Sequence, residues 1–130
     1  MLQLHFSQAD TAVPPIPDWD PAAVAAHLGY MRDAVAELTA TGELVEARGL
    51  AEPGTARIVR ATGGAPAVVA GPFPDGKEFL FGWWIVDCGP ERAVELAARL
   101  SAAPGPAGEP MNMPVEVRAL MSEPPGVDRR

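Results

Sequence analysis

A chain of 130 residues, 48% of them hydrophobic and three of them Trp, has material for one core and too little for two. Its 15 Pro and 13 Gly make up about twice the usual share, but in a chain this apolar they punctuate elements and do not signal disorder. A net charge of −7, with Lys and Arg adjacent only at the last two positions, excludes phosphate-backbone binding, and a single cysteine, Cys88, excludes an internal disulfide.

The period-two pattern of Leu2, Leu4 and Phe6 against Gln3, His5 and Ser7 predicts a half-buried first strand, which the prolines at 14, 15 and 17 bring to an end. Asp20 before Pro21 has the chemistry of an N-cap followed by a first-turn proline. Val24, Leu28, Met31, Val35 and Leu38 then follow at helical spacing until Gly42 supplies a left-handed stop. Leu44, Val45 and Leu50 predict a second strand closed by Glu52, Pro53 and Gly54. Residues 56–61 and 67–70 flank Thr62, Gly63 and Gly64 as the arms of a hairpin flank its turn. After the loop from Gly71 to Gly76, the apolar run from Phe79 to Cys88 predicts a central strand buried on both faces. Gly89 and Pro90 open a second helix with Ala93, Val94, Leu96, Ala97 and Leu100 facing inward. A Pro/Gly loop from Ala103 to Pro110 leads to a last strand in which Val115, Val117 and Ala119 alternate with Glu116 and Arg118.

This order predicts an α+β fold with ferredoxin-like split βαβ topology: an antiparallel sheet with two helices on one face. We expect a single domain over residues 1–121 and a flexible tail over 122–130. Because the central strand is apolar on both sides, a second copy is expected to cover the open face, which makes the protein a homodimer. The N-terminus has no basic start followed by an apolar run, and no apolar stretch approaches the ~20 residues of a membrane span, so a cytoplasmic protein without a membrane partner is expected.

Gly71-Pro72-Phe73, Lys77-Glu78 and Gly82-Trp83-Trp84-Ile85-Val86-Asp87 resemble the signature of the YCII-related, or DGPF-domain, family. Gly42-Glu43-Leu44-Val45, Gly49-Leu50 and Arg57 to Val59 resemble the same family's helix exit and following strands, and the likeness extends over about Ala22 to Arg118. The resemblance implies a dimeric α+β barrel. It also implies a choice between small lyases or dehydrochlorinases that use a His and an Asp, and proteins that accompany extracytoplasmic-function sigma factors. The chain departs from the pattern at Ala70, where the motif has its leading Asp, and at Arg48, where a Glu often precedes the Gly-Leu pair. The helix histidine, His27, sits about one turn further from the exit glycine than in the catalytic relatives, which keeps it on the same helix face. The first strand is shorter than usual for the family, and the loop from Ser7 to Trp19 is longer.

His27 is the candidate general base, with a packed helix histidine as the plain alternative, and it is expected in a cleft beside Arg48 or an aromatic ring. Arg48, with its planar fork, is the candidate for stabilising a carboxylate or enolate oxygen. Tyr30, Phe73, Lys77 and Trp83 are the candidate ligand-binding residues; Lys77 has an equal alternative as a bridge across its loop. Only one of Trp83 and Trp84 can look into a given cavity, because neighbours on a strand point to opposite faces. Asp33 and Glu37 read as a solvated acidic pair, Asp87 as a cap of the second helix, and Cys88 as a buried thiol.

No phosphate loop, nucleophile elbow or metal-ligand cluster is present in the sequence, so neither a cofactor nor a metal is expected. Two functions remain. One is a small cofactor-independent enzyme performing elimination, isomerisation or cyclisation on an oxygenated, aromatic-type molecule. The other is a non-catalytic dimer that binds a small molecule or a regulatory protein.

Overall fold

The alternation of Leu2 and Leu4 with Gln3 and His5 forms β1 (Leu2–Ser7), and the computed structural model of the chain describes it together with the rest of residues 1–7 and 16–122. The chain continues with α1 (Pro21–Thr41), β2 (Leu44–Gly49), β3 (Arg57–Arg60), β4 (Ala67–Ala70), β5 (Glu78–Val86), α2 (Pro90–Ser101) and β6 (Val115–Val117). Four strands form one sheet in the order β2-β5-β1-β6, every neighbouring pair antiparallel, and β3 and β4 form a separate two-stranded sheet. With β3 and β4 set aside, this is the ferredoxin-like α+β arrangement with two helices. The expected tail lies, apart from Ser122, outside the described residues, as does most of the loop between Ser7 and Trp19.

Local chemistry explains the helix ends. The Asp20 carboxylate accepts from the Ala22 N–H (3.0 Å) at the start of α1, satisfying one of the donors that no helical carbonyl can reach. Gly42 ends that helix at φ 79°, a left-handed conformation that any side chain would strain. The α2 helix opens on Pro90, as expected, but its N-cap is Gly89, which has no side chain to give. Asp87 therefore does not cap α2; it is exposed, and its backbone N–H donates to the Glu43 carbonyl (2.7 Å).

Both helices pack on one face of the sheet. The core consists of Leu2, Leu4 and Trp84 from the sheet, Ala34 and Leu38 from α1, and Ala93, Leu96, Ala97 and Leu100 from α2. The inward stripe of α1 runs through His27, Met31, Ala34 and Leu38, one residue round the helix from where Leu28 was expected; Leu28 is exposed. Val94 is likewise exposed and not inward, because the core of α2 is the i, i+3, i+4, i+7 set beginning at Ala93. The last strand stops at Val117 and does not reach Ala119.

Polar bonds tie the antiparallel helices along their outer sides. The Tyr30 hydroxyl donates to the Arg99 carbonyl (2.8 Å), Arg99 pairs with Glu37 (2.8 Å), and Arg92 grips the Glu43 carboxylate with two N–H groups (2.9 and 3.2 Å). These guanidinium bonds hold the carboxyls of Glu37 and Glu43 below their ordinary pKa. Among the described residues, no helix is long and apolar enough to cross a membrane.

Candidate functional site

The register of the main sheet sorts the candidate residues. Ala47, Trp84, Leu2 and Val117 form one row across all four strands, and Trp84 and Leu2 on it lie in the core under the helices. The adjacent row is Arg48, Trp83, Gln3 and Glu116, and strand alternation turns it to the other face. Glu46 and Ile85, paired with each other, point the same way. None of these six side chains is buried, so this face is open in the single chain. Its row reads cation, aromatic, amide, carboxylate from edge to edge.

Arg48 lies beside Trp83 as a cross-strand neighbour, close enough for the two side chains to act on one ligand. At rest its guanidinium pairs with Glu46 (2.9 Å) and donates to the Ala47 carbonyl (3.2 Å), and most of its side chain stays in water. An exposed pair of this kind is held weakly and exchanges readily for a ligand carboxylate. The two tryptophans are thereby distinguished: Trp84 is core at 4% exposure, and Trp83 is half-buried on the open face.

His27 lies on the other side of the sheet, in the helix layer. It is 5% exposed, its Nδ1 is 3.0 Å from the Pro104 carbonyl oxygen, and its ring meets the buried Trp19 edge to face with centroids 5.6 Å apart. A carbonyl oxygen can only accept, so Nδ1 is the donor of this bond, and of the two neutral tautomers it favours the one with the lone pair on Nε2. The expected aromatic neighbour is there in Trp19. Arg48 is not, because the sheet separates it from His27. Pro104 reaches His27 because the Pro/Gly loop after α2 folds back on itself: Met111 N–H donates to the Ala103 carbonyl (2.9 Å), and the Ser101 hydroxyl donates to the Met113 carbonyl (2.6 Å).

The remaining candidates are dispersed. Tyr30 spends its hydroxyl on the Arg99 carbonyl of α2. Phe73 is 63% exposed in the loop before β5, and Lys77 is exposed there without an ion pair among the described residues. Asp33 is exposed and Glu37 pairs with Arg99, so the acidic pair on α1 does not come together in a shielded site. Burial pushes the Cys88 thiol pKa up, and the residue packs against the core.

The motif Gly71-Pro72-Phe73 has a local explanation. Gly71 N–H donates to the Ala56 carbonyl (2.7 Å), and a Cβ on Gly71 would meet Ala56 at 3.0 Å, so glycine closes the base of the β3–β4 hairpin where a side chain would have to push Ala56 aside. An open groove beside that base is lined by residues including Thr55, Arg57, Val68 and Ala70. It touches neither His27 nor the Arg48–Trp83 pair.

Three residues of interest escaped the sequence reading of function. Gln3 and Glu116 complete the open row, and their place was readable from strand alternation once neighbouring strands were known. Trp19 lies in a Pro-rich stretch whose composition says nothing of burial. In addition, both ring nitrogens of His5 are shielded from water and have no hydrogen-bond partner among the described residues. No group of His, Cys, Asp and Glu suited to a metal ion occurs among the described residues.

No curated protein matches the sequence. The model of the YCII-related domain matches residues 2–107, which takes in β1, both helices and the strands carrying Arg48 and Trp83. A match over most of the chain, on a fold with the split βαβ topology that the order of elements predicted, means that the chain belongs to the YCII-related family.

Proposed function

We propose that the protein is a homodimer that binds a small anionic, aromatic molecule on the open face of its sheet, against Trp83 and with Arg48 as the anion-binding group. The observation that carries this reading is the β2–β5 register, which makes Arg48 and Trp83 neighbours on the face turned away from both helices. An aromatic wall with one charged group beside it is the usual composition of a small-molecule site. The guanidinium fork suits a carboxylate or an enolate oxygen. Trp83 and Ile85 are the apolar groups of this face, and a second copy covers them by placing its own Trp83 face opposite.

The test is a titration with benzoate and salicylate, followed by tryptophan fluorescence, together with sedimentation of the free protein. Saturable quenching that is lost in Arg48→Gln and in Trp83→Leu supports the reading. Quenching that survives both substitutions overturns the site, and a monomer at micromolar concentration overturns the dimer.

A second reading, the acid–base enzyme, is favoured by one feature: the Pro104 carbonyl selects the His27 tautomer with a basic Nε2. In that case the proton is moved from the helix side of the sheet, and Arg48 plays no part in the chemical step. Turnover of an elimination or isomerisation substrate that is abolished in His27→Gln, yet kept in Arg48→Gln, would establish it over the binding reading.

A further inference from the structure

Between Pro53 and Pro74 the chain has two of its ten basic residues and none of its seventeen carboxylates, so the rest of the molecule carries −9 against −7 for the whole. This stretch contains the β3–β4 hairpin. Val59 pairs with Val68 on one of its faces, alongside Arg57 and Ala70, and Ile58 pairs with Val69 on the other, alongside Arg60 and Ala67. Each face is therefore an apolar pair beside a guanidinium. Val59, Val68 and Val69 are 60%, 51% and 57% exposed, and the hairpin is not joined to the main sheet.

A two-stranded ribbon by itself is marginal in water, and one that is apolar on both sides has no reason to stand free. Its direction is nonetheless set at the base, where Gly71 and Ala56 touch backbone to backbone and Leu50 N–H donates to the Phe81 carbonyl (2.8 Å). The hairpin is also the connection between β2 and β5, the two strands that carry Arg48 and Trp83. Its paired ladder reaches about 13 Å, so it grows from the end of the strand pair on which a second copy would sit.

We propose that the β3–β4 hairpin is an arm that clasps a second copy of this chain. Its valines cover apolar surface on the partner, and Arg57 and Arg60 lie against the carboxylate-rich body that the charge distribution leaves there. The arm rests on the dimer reading above but adds to it a specific contact and a specific electrostatic sign.

The experiment is sedimentation equilibrium of the full chain at low and high salt, with two double variants. Val59→Asp with Val68→Asp is expected to raise the dimer dissociation constant at least about tenfold, with the far-ultraviolet circular dichroism of the helix-and-sheet body unchanged. Arg57→Glu with Arg60→Glu leaves the hairpin's apolar pairs intact; it is expected to weaken the dimer several-fold at low salt and to flatten or invert its salt dependence. A wild-type chain that stays monomeric overturns the dimer and the arm together. A wild-type dimer whose dissociation constant neither variant changes overturns the arm alone, and an Asp pair that weakens a dimer whose salt dependence the Arg variant leaves intact overturns the charge-matched partner.

Discussion

Trp83 and Trp84 are adjacent in the chain, have the same side chain, and share one strand, yet one is core and the other lies on an open face beside an arginine. The difference comes from strand parity combined with the placement of both helices on one side. The row under the helices, with Trp84 and Leu2, is a stability surface, and the row opposite, with Arg48 and Trp83, has polar groups at three of its four positions. The two faces also keep the candidate chemical groups apart. His27 belongs to the helix side and Arg48 to the open side, so a mechanism that uses both in one step has the sheet between them.

Substitutions that treat the two faces alike should have unlike effects. Trp84→Ala empties the centre of the core and is expected to destabilise the fold by about 3–5 kcal/mol, whereas Trp83→Ala leaves the core of each subunit intact, should cost the fold less, and acts on benzoate binding and on the dimer instead. Urea unfolding of the two variants, beside the wild type, reads this directly; equal losses would remove the distinction.

His27→Leu comes next in size. It leaves the Pro104 carbonyl without its donor and removes the edge contact with Trp19, and a loss of about 1–3 kcal/mol is expected. Benzoate affinity should not change, since the residue lies on the far side of the sheet. A variant that lost binding without losing stability would place His27 at the ligand.

At the helix start, Asp20→Ala removes the carboxylate that accepts the Ala22 N–H and should lower stability by about 1 kcal/mol. Asp20→Asn should recover most of that, because an amide oxygen accepts the same bond.

The smallest effect is electrostatic. Glu43 is held below the ordinary carboxylate value of 4.5 by Arg92 and by the Thr41 hydroxyl. Its contribution is therefore present above that value and is lost as the pH falls through the lower folded-state pKa. Because the pair is solvent-screened, the change is modest. It is measured as the difference in urea midpoint between about pH 6 and about pH 3, which should be smaller in Glu43→Gln than in the wild type; an identical difference would mean that the pair contributes nothing.

Much of the architecture was legible from local chemistry. Asp20-Pro21 and Gly42 bracket α1 because a cap acceptor, a fixed φ and a left-handed stop are properties of single residues. The glycine pair at 63 and 64 and the prolines at 53 and 90 likewise mark turns and starts that the fold keeps. Helix facing was less legible. Leu28 and Val94 fit an apolar period, but the stripe that is buried is chosen by where the sheet lies, and small residues such as Ala34, Ala93 and Ala97 occupy it. Of the site, alternation predicts that Trp83 and Trp84 part company without predicting which of them the helices cover.

The sequence by itself determined the order of elements and both ends of α1, because these depend on capping, turn and alternation chemistry that acts over a few residues. Only the tertiary structure decided that Arg48, Trp83, Gln3 and Glu116 form one row, that His27 is fastened to Pro104, and that the hairpin stands apart from the sheet. Those outcomes depend on pairing between strands far apart in the chain and on which face two helices cover. No local propensity encodes that choice, because both faces of a strand are available until something packs on one of them.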